Sequence, residues 1–166
     1  SKKNLETLIK EIEDVVKNSF KEAYDEIDKN FNYMCKEILN NSIGNLSLLD
    51  ETDLLESGVE LMVKFKNKKY QSLSLLSGGE KSMVAVALIM AIFMYKPSPF
   101  TFFDEIEAAL DESNTKRLLR KLKEFTDRSQ FILITHNKHT MKESDQLYGV
   151  TMNKEIGESK ILSVVL

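Results

Sequence analysis

From Leu5 to Leu39 the chain carries neither Gly nor Pro, and apolar residues recur at steps of three and four. The stripe runs Leu5, Leu8, Ile12, Val15 or Val16, Phe20, Ala23, Ile27, Phe31, Met34 and Ile38. That spacing puts one apolar face on a single α-helix. At about 1.5 Å per residue the helix extends roughly 50 Å. A helix this long and acidic needs a partner for its stripe. Two partners are open: the rest of its own domain, or the other strand of a coiled coil. The near-heptad period slips between Ala23 and Phe31, where two steps of four follow each other.

The 166 residues allow one compact domain with an appendage. Net charge is −3, so no overall basic footprint for nucleic acid exists. The charge is divided, however. Residues 1–60 hold 7 Lys against 14 Asp and Glu, and residues 61–166 hold 16 Lys and Arg against 12 Asp and Glu. Two structural parts are expected from that split. The single cysteine, Cys35, cannot form an internal disulfide and fits a reducing compartment. No apolar run is expected to reach a membrane span, and no signal peptide opens the chain. A start at Ser1 without Met is expected of a fragment or a processed chain.

Asn40 to Gly58 is polar and turn-rich and is expected to be a connector. "VELMVKF" and "YQSLSLL" flank "KNKK" as a hairpin whose tip gathers Lys64, Lys66, Lys68 and Lys69. Such a tip is either solvated or in contact with a phosphate backbone. Ser77 to Tyr95 is the second helix, with Ser77 as N-cap and Glu80 placed for a capping box. Its body "MVAVALIMAIFM" is apolar nearly all round, which predicts burial on every side. "FTFFDE" is a short strand, Glu112 to Thr126 a helix, "QFILIT" a strand, and "HNKHT" leads into a short helix. "LYGVTMN" and "KILSVVL" close the chain as strands. This alternation predicts a parallel α/β core.

Three places carry candidate chemistry. "FTFFDE" delivers Asp104 and Glu105 to the C-terminal end of a strand, the ligand crevice of an open α/β sheet. One carboxylate there can hold Mg²⁺, and the next can orient water. "LSGGE" puts Ser77, Gly78 and Gly79 at a helix N-terminus, where unpaired N–H groups favour anions. His136 ends the strand in "LITHN", within reach of a phosphate or its attacking water, whereas His139 is taken as surface. Each motif alone has an ordinary structural explanation; the ordered set, with Asp111 in "ALD", is more specific. Yet none of the six glycines is followed by Lys, so the chain has no GxxxxGK[ST] phosphate loop.

"LSLLSGGEKSM", "KPSPFTFFDEIEAALD", "QFILITHNK" and "YGVTMN" together resemble the C-terminal head lobe of structural maintenance of chromosomes (SMC) proteins of the bacterial type. The resemblance covers essentially the whole chain. It implies an α/β fold, the C-terminal half of an ABC-type ATPase head, with the long N-terminal helix as the returning coiled-coil arm. The implied division is 1–40 arm, 41–58 connector and 59–166 head lobe. The Walker A loop would lie in an N-terminal lobe outside this sequence. By resemblance Asp104 is the Mg²⁺ carboxylate, Glu105 the catalytic carboxylate, His136 the γ-phosphate sensor and Asp111 part of a loop crossing the head dimer. Ser77, Gly78 and Gly79 would contact ATP in trans. Implied partners are the N-terminal lobe, a second SMC head in a homodimer, a kleisin subunit near the last two strands, and DNA, with no membrane. Implied too are a cytoplasmic, nucleoid-associated location and no ATP turnover by this chain alone. A Rad50 or RecN type repair ATPase, a non-catalytic interaction module and a transporter nucleotide-binding domain are the competing readings.

Overall fold

A computed structural model describes residues 2–164, with side chains for residues 4–163. The elements are α1 (Lys2–Ile38), β1 (Ile43–Leu48), β2 (Val59–Lys64), β3 (Gln71–Ser72), α2 (Gly78–Tyr95), β4 (Phe100–Asp104), α3 (Glu112–Glu124), β5 (Gln130–Ile134), α4 (Lys138–Glu143), β6 (Leu147–Asn153) and β7 (Glu158–Val164).

The two halves of helix α1 differ in burial. Residues 4–19 are exposed all round, with Leu5 at 62% and Val15 at 64%. Beyond Phe20 the same stripe sinks into the domain, and Phe31, Met34 and Cys35 are fully buried. Asn40 and Asn41 follow the helix with φ of 54° and 60°, a region that Asn tolerates better than most residues.

Residues 41–58, expected to be a connector, contain strand β1 instead. It pairs antiparallel with β2 along its whole length, from Ile43 opposite Lys64 to Leu48 opposite Val59. Helix α1 holds the strand from the side: the Leu46 N–H donates to Asp28 Oδ1 at 2.5 Å, and Tyr24 Oη donates to the Leu46 carbonyl at 2.8 Å. Gly44 is where strand and helix meet most closely. A Cβ there would stand 2.4 Å from Cys35 Sγ and 2.8 Å from Phe31 Cε1, so no side chain fits without displacing the core. Burial pushes the Cys35 thiol up to about 12, which keeps it uncharged and unreactive. The expected hairpin is present, with β2 pairing antiparallel to the short β3.

Helix α2 is the centre of the core. Val84, Ala87, Met90 and Ala91 are buried with Phe31 and Met34 of α1, and Phe93 meets Phe125 and Phe131 at 5.6 and 5.4 Å between ring centres. Burial on every side does not occur: Ile89 and Ile92 are each 46% exposed, because α1 and the sheet cover only part of the circumference. Nor does the absence of a span-length apolar run hold. Helix α2 has 18 residues and a mean hydropathy of 1.4, enough by length and composition to cross a membrane. A core helix passes the same test, and the buried residues of α2 pack with α1, α3 and β4.

Among the described residues the parallel part of the fold is one pair. Strands β4 and β5 run parallel, joined through α3, with Phe100 opposite Gln130 and Asp104 opposite Ile134. The alternation of strands and helices that predicts a parallel core does not carry β6 into this sheet. Strands β6 and β7 instead pair with each other from Leu147–Val164 to Asn153–Glu158, which satisfies their facing backbone groups without a third strand. Phe103 and Phe131 stack on the inner face of the β4–β5 pair, their rings 6.1 Å apart. The outer face leaves Phe100, Phe102 and Ile134 more than half exposed.

Candidate functional site

The site starts where β4 ends. The parallel register continues past Asp104, because the Glu105 N–H donates to the Ile134 carbonyl at 2.9 Å. Two residues beyond Ile134 the chain reaches His136, whose Nδ1 lies 3.2 Å from Glu105 Oε1. Carboxylate and imidazole thus meet across the ends of two adjacent strands. Glu105 has φ of 46°, a left-handed conformation that costs a non-glycine residue about 1 kcal/mol or more. Its amide and carbonyl are both hydrogen-bonded, the carbonyl accepting from the Ala108 N–H at 2.9 Å. The turn therefore holds the conformation. Asp104 is exposed, and its carboxylate has no hydrogen-bond or ion-pair partner among the described residues.

A polar cleft of about 120 Å³ opens beside the pair, lined by Glu105, Glu107, Ala108, Leu110, His136 and Asn137. Glu107 was not foreseen. It is 5% exposed, and its Oε1 accepts from the hydroxyls of Thr135 and Thr140. In sequence it is one more acidic residue after a strand, indistinguishable from Glu112; only the topology buries it.

The glycine-rich helix start lies nearby. Ser77 caps α2, its N–H and hydroxyl donating to Glu80 Oε2 at 3.0 and 2.8 Å. Lys68, from the lysine-rich turn, donates to the other Glu80 oxygen at 2.9 Å. The Lys68 bond, then the Ser77 hydroxyl and N–H, hold the Glu80 carboxyl well below its ordinary 4.5, at about 2. Among the described residues an added Cβ at Gly78 would meet nothing within 4 Å, and one at Gly79 only the Ala109 carbonyl at 3.8 Å. Packing among the described residues therefore requires neither glycine. Open space there suits a group approaching from outside. The Ala109 contact also places the start of α2 against the loop that follows Glu105.

Asp111 caps α3, accepting the Asn114 N–H at 2.7 Å. The Asn114 amide donates to Met83 Sδ at 2.9 Å and ties α3 to α2. His139, taken as surface, is partly covered, with Nε2 3.3 Å from Glu112 Oε1. Among the described residues Asp104, Glu105 and His136 lie at the adjacent ends of β4 and β5, and Ser77, Gly78, Gly79 and Asp111 at the starts of α2 and α3. No hydrogen bond joins the two groups.

Among the described residues no group of three or more His, Cys, Asp or Glu could hold a metal ion. An uncommitted Asp104 suits Mg²⁺ all the same, since Mg²⁺ takes one or two carboxylates and completes its shell with water and phosphate oxygens.

Comparison with known proteins bears on the family and the fold. The sequence profile of the RecF/RecN/SMC N terminal domain matches residues 3–158. The Chromosome partition protein Smc of Fusobacterium nucleatum is 64% identical over 163 residues, 98% of this chain and 14% of that protein. Its counterpart in Bacillus subtilis is 42% identical over 166 residues, again spanning 14% of the relative. The Smc head domain of Pyrococcus furiosus, solved with an extended coiled coil and bound to the C-terminal domain of ScpA, superposes with a TM-score of 0.86 at 35% identity. That match covers 98% of this chain and 40% of the other. A structure from work on ATP-driven dimerization and DNA stimulated activation of SMC ATPases superposes with a TM-score of 0.81 at 34% identity, covering 89% of both chains. By sequence over residues 3–158 and by a fold shared with SMC heads, the chain belongs to the RecF/RecN/SMC N terminal domain family.

Proposed function

We propose that this chain is the C-terminal lobe of an SMC ATPase head, and that it completes an ATP-hydrolysing site only with an N-terminal Walker A lobe and a second head. The observation that carries the reading is the Glu105–His136 pair, 3.2 Å apart across the ends of parallel strands, beside an uncommitted Asp104. Phosphoryl transfer to water needs positioning and charge neutralisation rather than covalent chemistry, and the residues divide along those lines. Asp104 would hold Mg²⁺, which neutralises phosphate charge when bound. Glu105 orients and polarises water, its carboxylate fixed by the turn backbone and the His136 ring. His136 faces the same cleft and reads the terminal phosphate.

Ser77, Gly78 and Gly79 serve ATP held by the opposite head, a role supported by the open space around Gly78. Asp111, at the start of α3, belongs to the loop between the two heads. The exposed half of α1 is the stub of the coiled-coil arm. The outer face of the β4–β5 pair, with Phe100 and Phe102 exposed, is where the N-terminal lobe docks. A homodimer of heads, a kleisin and DNA are the assembly partners, in a cytoplasmic, nucleoid-associated complex that partitions chromosomes. Support comes from the Smc head bound to ScpA, from the SMC ATPases described as dimerizing with ATP, and from the named Smc relatives.

The test is Glu105→Gln in the full-length protein. Steady-state ATP hydrolysis falls by about a hundredfold or more, as expected on losing a positioned base, while ATP binding and ATP-dependent head pairing persist. Hydrolysis within twofold of wild type removes Glu105 from the reaction.

A further inference from the structure

Glu107 has a use that the ATPase reading leaves unassigned. A buried carboxylate without a cation is costly unless donors satisfy it. Here the donors are specific. Thr135 and Thr140 both give their hydroxyl hydrogens to Glu107 Oε1, the second at 2.9 Å. Thr135 is the residue immediately before His136, and its Oγ1 in turn accepts the Asn137 N–H at 2.9 Å. Thr140 lies in α4, which begins after Asn137, and Asn137 Oδ1 accepts the His139 N–H at 2.8 Å. The backbone on both sides of His136 is thus tied to one oxygen atom.

His136 itself has little else to orient it. Its side chain is 79% exposed, and Glu105 is its hydrogen-bond partner. Glu107 sits two residues beyond Glu105 in the same turn, with the Leu110 N–H bonded to its carbonyl at 2.9 Å. One short segment therefore supplies both the carboxylate that meets the imidazole and the anchor that fixes the imidazole's backbone. We infer that Glu107 is a positioning residue: through Thr135 and Thr140 it holds the His136 loop at the distance that keeps His136 against Glu105. This inference rests on the ATPase reading for its consequence in catalysis, and on the hydrogen bonds alone for its mechanical part.

Both hydroxyls use the same atom, so the link needs one accepting oxygen at that place. Gln at 107 keeps such an oxygen; Leu does not. Ser at 135 keeps the hydroxyl; Val does not. The test uses full-length protein carrying Glu107→Leu, Glu107→Gln, Thr135→Val, Thr135→Ser or the Leu/Val pair, with Glu105→Gln as reference. Two quantities are read: kcat and KM for ATP, and hydrogen exchange of the segment 134–141. Glu107→Leu and Thr135→Val lower kcat by about tenfold to a hundredfold, the scale of a small displacement at a reacting centre, with KM within about twofold of wild type. Glu107→Gln and Thr135→Ser retain most of kcat, and the double variant is no worse than the weaker single one, as for two parts of one linkage. Exchange of 134–141 accelerates in the Leu and Val variants and not in the Gln and Ser variants.

Thr135→Val is nearly isosteric and keeps the carboxylate, so it decides the matter if Glu107→Leu fails to fold. Unchanged kcat in Thr135→Val, additive losses in the double variant, or unchanged exchange each overturn the inference. If wild type and Glu105→Gln are equally inactive, the ATPase reading has failed, and the exchange data alone then support or overturn the mechanical link.

Discussion

Glu105 occupies a backbone conformation in which glycine would be more comfortable, and it does so at the point where the chain leaves β4. Strain of that kind persists where neighbouring structure dictates the conformation, and it collects at working sites. The strain can be separated from the side chain's contacts by comparing two truncations. Both Glu105→Ala and Glu105→Gly lose the His136 contact, but only Gly relieves φ. Urea unfolding of the two variants is expected to place Glu105→Gly about 1 kcal/mol above Glu105→Ala in stability. Equal stabilities would mean that the turn imposes no strain. Asp104, Glu105, His136 and Ser77 were legible in the sequence because each lies next to its own strand end or helix start. Glu107 was not, since its partners Thr135 and Thr140 stand 28 and 33 residues away. Lys121 was hidden for the same reason. It stands in a charged run of α3 yet is 3% exposed, bonded to Glu124 at 2.7 Å, Tyr33 at 2.7 Å and Glu37 at 2.8 Å. Burial pulls its ammonium down, but those three oxygens outweigh that and raise it overall.

Among the elements, α2 is the one whose start does two jobs. Ser77 and Glu80 close its first turn, while the turn's glycines leave space around it. Two glycines in a first turn weaken a helix, so the capping interaction matters more than usual. Glu80 has a folded value lowered from 4.5 to about 2 by Lys68 and then by Ser77. A lowered carboxyl stabilises the fold fully above its unfolded value and loses that effect as pH falls through its folded value. Wild type is thus expected to exceed Glu80→Gln by about 1 kcal/mol above pH 4.5, the usual scale of a cap. The difference should close as pH falls from 4.5 toward 2 in urea unfolding across that range. A gap independent of pH would assign the stability to packing. The capping box was readable because it is written within four consecutive residues. Strand β1 was not: "IGNLSL" has little apolar alternation, and its place is set by β2 and by Asp28 and Tyr24 of α1.

At the level of the whole molecule, the apolar surfaces lie where the sequence could not place them. The stripe of α1 is continuous in sequence but half covered in space. Helix α2 keeps Ile89 and Ile92 exposed, and the β4–β5 pair presents Phe100, Phe102 and Ile134 on its outer face. Exposed apolar area of this extent is typical of interfaces. Under the proposed reading, the candidate phosphate-facing residues of a chain with no phosphate loop would complete a site whose other parts come from a second lobe and a second head. That composite site is the central claim. The most direct measurement is ATP turnover by this chain mixed with the N-terminal lobe of the same protein, for wild type, Glu105→Gln and Ser77→Arg. The account predicts no turnover by either lobe alone, turnover in the wild-type mixture, and loss of it in both variants. Glu105-dependent turnover by the isolated chain, or a mixture indifferent to Ser77→Arg, would contradict it.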